Sequence, residues 1–243
     1  MGRGPTKRGP EKVAIAGNTL TIAACALAWL VPAARAADVP VAVAPIAVAS
    51  ATALDRYLDG LTTLRTKFSQ VVVDAAGKTL ETGEGSLLVR RPGRFRWEYA
   101  PNDAGPQLLV ADGANLWFYD RELQQATVKP ATAALTATPV MLLSGTAAQL
   151  RAAFTVVAVG AHDSLDWVQV TPRSATAEFA SAELGFRDGQ LARLVIHDRL
   201  NQTDTLTFSE SMRGAHIAEA ELRFAPPAGV DLIGTPRPLA GSP

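Results

Sequence analysis

The chain holds few residues able to make or break bonds, and their spacing puts none of them in a working frame. His162, His197 and His216 are far apart. None stands in an H-x-x-x-H or H-E-x-x-H pattern, which would put two imidazoles on one helix face to hold a metal. Cys25 is the single cysteine and lies in an N-terminal apolar run. A chain cleaved after that run has neither a thiol nucleophile nor a thiolate ligand. There is no G-x-S-x-G elbow, P-loop or dinucleotide fingerprint. His197-Asp198 and Ser209 supply the residue types of a hydrolytic triad with no motif around them, and Glu81 and Glu84 have no partner signature. These residues support no enzymatic reading, no metal site and no cofactor. They leave binding as the chemistry to explain.

The residues with a distinctive pattern are aromatic. In Arg94–Tyr99, Phe95, Trp97 and Tyr99 alternate with Arg94, Arg96 and Glu98. Successive strand side chains point to opposite faces, so one face is a row of large rings and the other a row of charges. Leu116-Trp117-Phe118-Tyr119 is apolar on both faces, so it must be covered on each side or line a cavity on one. Arg91 stands beside Pro92-Gly93. It reads either as a solvated strand-end arginine or as a five-donor fork able to hold the carbonyl end of a covering helix.

The elements that position these residues are mostly strands. Arg91-Pro92-Gly93 and Asp112-Gly113 mark tight turns, the second a dipeptide suited to a type I′ hairpin, and Asp188-Gly189 marks another. Gly83 and Gly85 interrupt a long strand over 79–89 and suggest a bulge or bend. Further strands are expected over 68–74, 124–129, 154–159, 165–171, 178–187, 191–198, 203–209 and 218–224. A helix should begin at Thr52, with Asp55 completing a capping box. Its apolar stripe is Leu54, Tyr57, Leu58, Leu61, Leu64 and Phe68. Thr138-Pro139 opens a short helix containing Val140, Met141, Leu142 and Leu143, apolar nearly all round, which Gly145 can end. Thr146 with Gln149 opens another. The expected fold class is mainly β: an antiparallel sheet of about eleven strands, large enough that it must curl or close, covered by helices. Such a half-barrel would hold a water-excluded apolar cavity suited to an acyl chain. A Pro- and Gly-rich tail over 234–243 is expected to be disordered, and the residues beyond Val230 carry no pattern that marks a further strand.

The N-terminus reads as a secretory signal over 1–36: Arg3, Lys7, Arg8 and Lys12, the apolar run 19–31, then Ala34-Arg35-Ala36. Ile22-Ala23-Ala24-Cys25 resembles a lipobox, but apolar residues continue after Cys25, where a lipidated cysteine would end the run. Residues 37–50 read as a flexible lead and 51–233 as the folded unit. Residues 1–36 hold five basic residues and one acid, which leaves 18 basic and 22 acidic residues, a net of −4, for the rest. No basic patch suggests nucleic acid.

The run G-E-G-x-L-x-V-R-R-P-x-x-F-R-W at 83–97 resembles the outer-membrane lipoprotein carrier protein family, LolA. So do A-D-G-x-x-L-W-F-Y-D at 111–120, Phe68-Ser69-Gln70, Thr138-Pro139-x-x-Leu142-Leu143 and Phe224-x-Pro226-Pro227-x-Gly229-Val230. The resemblance spans about residues 50–233. It implies an unclosed β-barrel with an α-helical lid, acting as a monomeric periplasmic chaperone. Such a protein takes lipoproteins from an inner-membrane ABC transporter complex and passes them to an outer-membrane lipoprotein receptor. Carried over by motif, Arg91 would latch the lid in the empty state. Phe95, Trp97, Tyr99 and Phe118 would line the acyl-chain cavity. Leu54, Leu58, Leu61, Met141 and Leu142 would form the apolar face of the lid. A carrier or sensor of another amphiphile, such as a glycolipid, and a lipid-anchored receptor of the same fold are the alternatives.

Overall fold

The computed structural model describes residues 51–100, 107–131 and 139–239. The expected signal segment, the lead over 37–50, Cys25, the cap Thr138 and the last four residues lie outside these. In chain order the elements are α1 (Ala53–Leu58), β1 (Thr63–Val73), β2 (Thr79–Arg90), β3 (Arg94–Tyr99), β4 (Gln107–Ala111), β5 (Asn115–Asp120) and β6 (Gln125–Pro130). Then come α2 (Pro139–Ser144), α3 (Ala147–Ala153), β7 (Phe154–His162), β8 (Leu165–Pro172), β9 (Phe179–Arg187), β10 (Gln190–Asp198) and β11 (Thr203–Arg213). A 3-10 turn over Glu219–Leu222 and β12 (Asp231–Ile233) follow.

The twelve strands among the described residues form one sheet, in the order β12-β6-β5-β4-β3-β2-β1-β11-β10-β9-β8-β7. β7 and β12 are its two ends, so the sheet is not closed. Every pairing is antiparallel except β12 on β6. The centre of the sheet is where β1 pairs with β2 on one side and β11 on the other. Strand alternation sends one set of side chains to an apolar face: Leu64 and Phe68 from β1, Leu87 and Val89 from β2, Phe95 and Trp97 from β3. The same buried cluster continues through Leu206, Leu194, Leu184 and Val168 and takes in α1, Leu142, Leu143 and Leu150. A large sheet with one such face coils around it, because each strand is twisted relative to its neighbour. That face is the concave one.

The capping boxes stand as expected. Thr52 and Asp55 bond reciprocally at the start of α1, and Thr146 and Gln149 do so at α3. Other expectations are corrected. The first helix ends at Leu58, followed by Gly60 at φ +64°, a backbone region where glycine carries no Cβ penalty. Leu61 therefore lies in a connection, and Leu64 and Phe68 lie on β1. There Leu64, Thr66, Phe68 and Gln70 alternate inward. The positions that fit a helical stripe also fit a period of two from Leu64 onward.

Gly83 and Gly85 make no bulge, since β2 runs in unbroken register with β1 past both. They make room instead. A Cβ on Gly85 would stand 2.7 Å from the Phe68 ring and 2.2 Å from the Glu98 carbonyl oxygen. One on Gly83 would touch the Tyr99 ring at 3.3 Å. Asp112-Gly113 is not a type I′ turn, because only Gly113 has positive φ; the Asp112 carboxylate accepts the Ala114 and Asn115 amides instead. Asp188-Gly189 has φ of 50° and 72° and does fit type I′.

The expected strand over 218–224 is a 3-10 turn lying over the charged outer face. Glu219 takes Arg90 and Arg94, and Glu221 takes Arg65. Ile217 and Leu222 pack on Leu88. Alternation there reflects a segment with one side on the sheet and one in water, which mimics a strand. Beyond it Phe224 stacks on Trp117 and Tyr119, and Asp231–Ile233 adds a twelfth strand that was not expected. The tail after 233 is held through Arg237, whose N–H donates to Asn115 Oδ1 while Asn115 Nδ2 donates to its carbonyl.

Candidate functional site

The helices cover one end of the concave face. Leu54, Tyr57 and Leu58 are the buried side of α1. Tyr57 stacks on Phe186 of β9 with ring centroids 5.3 Å apart. Asp55 is bound by Arg151, which ties α1 to α3. Burial alone would raise the Asp55 carboxyl, but Arg151 and Thr52 outweigh it and hold it below its ordinary value. Leu142 and Leu143 of α2 are buried and Met141 is half-buried against the same core. α2 meets the β2–β3 turn where the Gly93 amide donates to the Ser144 carbonyl at 3.0 Å. Leu61 is buried beside α1 rather than on it.

Arg91 sits under the end of α1. Its backbone N–H donates to the Thr62 carbonyl at 2.8 Å, and its Nη1 reaches the Leu58 carbonyl, the last of the helix, at 3.4 Å. Nε and Nη2 are buried without a hydrogen bond. Burial lowers the guanidinium from its ordinary value, while Tyr57 acts the other way. Burial in turn pushes the Tyr57 hydroxyl up to about 12, against the pull of Arg213 and Arg91. Arg213 was not singled out from the sequence. Its guanidinium lies 5.0 Å from the Tyr57 ring centroid and donates to the Asp59 carbonyl at 3.0 Å. Two arginines from strands far apart in sequence thus converge on the carbonyl end of α1, where cations are favoured. No local motif marks Arg213, because the pairing of β1 with β11 brings it there.

The aromatic row lies further along the same face. Phe95 is fully buried, and Trp97 and Phe68 are 7% and 2% exposed. Phe68 and Trp97 stack at 4.8 Å, and Phe68 and Tyr99 meet edge-on at 5.2 Å. Register carries the row on from Trp97 to Leu109 and from Leu109 to Phe118. Phe118 differs from its partners in being 37% exposed. With Leu109, Leu116, Thr127 and Lys129 it lines a cavity of about 300 Å³. The concave face therefore has a packed part under the helices and an apolar part open over β4–β6. A larger depression of about 640 Å³ is lined by Lys67, Glu84, Glu98 and Arg121 among others. These four residues alternate with the concave ones and put charges on the convex side of the sheet, while Phe68, Gly85 and Tyr99 also border the depression.

The far end of the concave face is polar. The Tyr99 hydroxyl donates to Gln70 Oε1 at 2.7 Å, and Gln70 Nε2 donates to Asp204 Oδ2 at 2.7 Å. Asp204 Oδ1 is buried and accepts no hydrogen bond from the chain. Burial, opposed by the Gln70 hydrogen bond and reinforced by Glu81, pushes the Asp204 carboxyl up to about 6. Burial first, and then the charge of Asp204, push the Tyr99 hydroxyl up to about 12.

The residues of the imagined triad are not brought together. His197 Nδ1 lies 3.3 Å from Thr203 Oγ1, and Asp198 accepts the Leu200 and Gln202 amides of its own turn. Ser209 is six residues along β11 from Thr203, the partner of His197. No group of three or more metal-ligating side chains occurs among the described residues. No helix among them is long and apolar enough to cross a membrane.

Residues 59–225 match the family model described as outer membrane lipoprotein carrier protein LolA. An outer-membrane lipoprotein carrier protein of Methylobacillus flagellatus is 35% identical over 181 residues, 74% of this chain and 87% of the relative. One from Chromobacterium violaceum is 34% identical over 205 residues, covering 84% of this chain and 97% of the relative. Among solved structures, an uncharacterized conserved protein from Thermus thermophilus is similar at a TM-score of 0.49 and 18% identity, covering 74% of this chain and 96% of that one.

Proposed function

The chain belongs to the outer-membrane lipoprotein carrier protein family, LolA, and on that premise we propose that its concave face shelters the acyl chains of lipoproteins in transit between membranes. The observation that carries this reading is the division of that face. One part is packed beneath α1 and α2, and the other, over Leu109, Leu116 and Phe118, is apolar and open. Lipoproteins reach the carrier from an ABC-type release complex of the inner membrane and leave it for an outer-membrane receptor. The carrier works in the periplasm as a monomer, after loss of residues 1–36.

Magnitudes say why a cover is needed. Burying a CH₂ is worth ~0.8 kcal/mol, so a chain of about 15 methylenes gains roughly 12 kcal/mol when wholly buried. That corresponds to a Kd on the order of nanomolar, and several chains held so would scarcely leave. In the closed arrangement Leu54, Leu58, Leu61, Met141 and Leu142 occupy or border the apolar face a ligand would use. Closure and cargo therefore compete for the same surface. Arg91 holds the closed form loosely, through one long bond with two donors unmatched.

The test is a release assay with inner-membrane vesicles and purified release complex. The mature protein should solubilise lipoproteins in one-to-one complexes and surrender them to an outer-membrane receptor. Recovery of a single glycolipid in place of lipoproteins would move the function to a specialised lipid carrier. The intact mass of the secreted protein separates a soluble start at Ala37 from a lipidated start at Cys25.

A further inference from the structure

Among the described residues, the polar cluster at the far end of the concave face has no contact with the helices that cover its other end. It stands eight residues along β1 from Leu64 to the Val72–Asp204 pair, roughly 25 Å at ~3.3 Å per residue. The latch end is filled by α1 and α2, whereas here Asp204 is half-buried and Glu81 exposed. A ligand whose apolar tails lie on the open apolar part of the face would therefore turn its polar head away from the helices and toward Asp204.

The hydrogen bonds of the cluster run one way. Tyr99 donates to Gln70, Gln70 donates to Asp204, and the chain ends on Oδ1, a buried acceptor with no partner from the protein. Buried acceptors without donors are rare in folded proteins and ask for a reason. A relay that ends on an acceptor selects a ligand that donates. With Glu81 facing the same space, it also repels a phosphate. We propose, on the footing of the carrier reading above, that Asp204, oriented by Gln70 and Tyr99, receives the amide N–H groups of the cargo's lipidated N-terminal cysteine. N-acylation leaves that head neutral, with the acyl amide and the next peptide bond as N–H donors, whereas membrane phospholipids bring an anionic phosphate to the same place. The subsite thus separates lipoprotein from bulk phospholipid with similar acyl chains.

The test uses the full mature protein and two probes: a triacylated cysteinyl peptide, and the same peptide N-methylated at the acyl amide and the next peptide bond. The acyl chains are identical; each N-methyl group replaces a donor, and its added bulk is controlled by comparing the same two probes on Asp204→Leu. The native protein should bind the unmodified peptide roughly 10- to 100-fold more tightly, the range of a hydrogen bond to a charged group. Asp204→Leu should erase that preference, and dipalmitoyl phosphatidylglycerol should displace the peptide from it more readily. Asp204→Asn, which keeps the shape and one acceptor, should fall between. The comparison of probes on the native protein stands even if Asp204→Leu fails to fold. Equal binding of both probes by the native protein overturns the subsite and leaves the carrier reading intact. Binding of neither probe overturns the carrier reading itself.

Discussion

At the scale of single residues the concave face is bracketed by two charged groups, each left with atoms unmatched. Arg91 at one end has Nε and Nη2 buried without partners, and Asp204 at the other has Oδ1 so. Arg91→Leu removes the proposed latch, the Nη1 contact with the Leu58 carbonyl, while leaving the apolar face whole. It should still load lipid but hand it on several-fold more slowly in a two-protein transfer assay, and normal handover would refute the latch. Arg213→Leu, which removes the second contact with the end of α1, should slow handover in the same direction. Asp204 also predicts a pH dependence of stability. Its ordinary carboxyl value is ~3.9 unfolded, and burial raises it to about 6 in the fold. The folded state then holds the proton more tightly. Stability from this group is highest below pH ~4, falls as pH rises toward 6 and levels off above it. The drop is at most about 3 kcal/mol, less where water screens the group. Glu81 is the other charged group acting on it. Asp204→Asn should therefore raise the urea midpoint at pH 8, with little change at pH 4. An unaltered midpoint at pH 8 would show that burial does not strain this carboxyl.

At the scale of elements the two strand glycines make the sharpest contrast. Gly85→Ala drives a Cβ against the Glu98 backbone and the Phe68 ring, and should cost about 1–3 kcal/mol by overpacking. Gly83→Ala meets only the Tyr99 ring at 3.3 Å, and thermal melting should show a change within ~1 kcal/mol. These glycines also mark what could be read from the chain beforehand. The alternation in Arg94–Tyr99 placed rings and charges on the right faces because strand geometry is local. The apolar Leu116–Tyr119 signalled a cover on one side and a cavity on the other as one of its two readings: Leu116 and Phe118 line the open cavity, and the cover over Trp117 and Tyr119 is Phe224, more than 100 residues away. Glycines in a strand look alike whether they bend it or admit a ring, so their purpose was invisible without the opposing Phe68 and Tyr99. The first helix was read too long for a related reason: the stripe through Leu64 and Phe68 satisfies both periods, and only Gly60 separates them. β12 was missed because three residues in parallel pairing carry no alternation to read.

At the scale of the whole molecule the open sheet gives one continuous surface two different faces. The concave one is apolar up to its Gln70–Asp204 end and competes for its own helices, and the convex one carries the arginine–glutamate pairs and the apolar patch of Trp117 and Val128, strapped by the segment from Ile217 to Arg237. The central claim is that cargo lies on the first and not in the larger depression edged by Lys67, Glu84, Glu98 and Arg121 on the second. The most direct measurement is photo-cross-linking of lipoprotein-loaded protein, with the cross-linker placed in turn at Leu109, Phe118, Lys67 and Glu84. The account predicts adducts to acyl chains from Leu109 and Phe118 and none from Lys67 or Glu84. Acyl adducts from Lys67 and Glu84, with silence at Leu109 and Phe118, would contradict it.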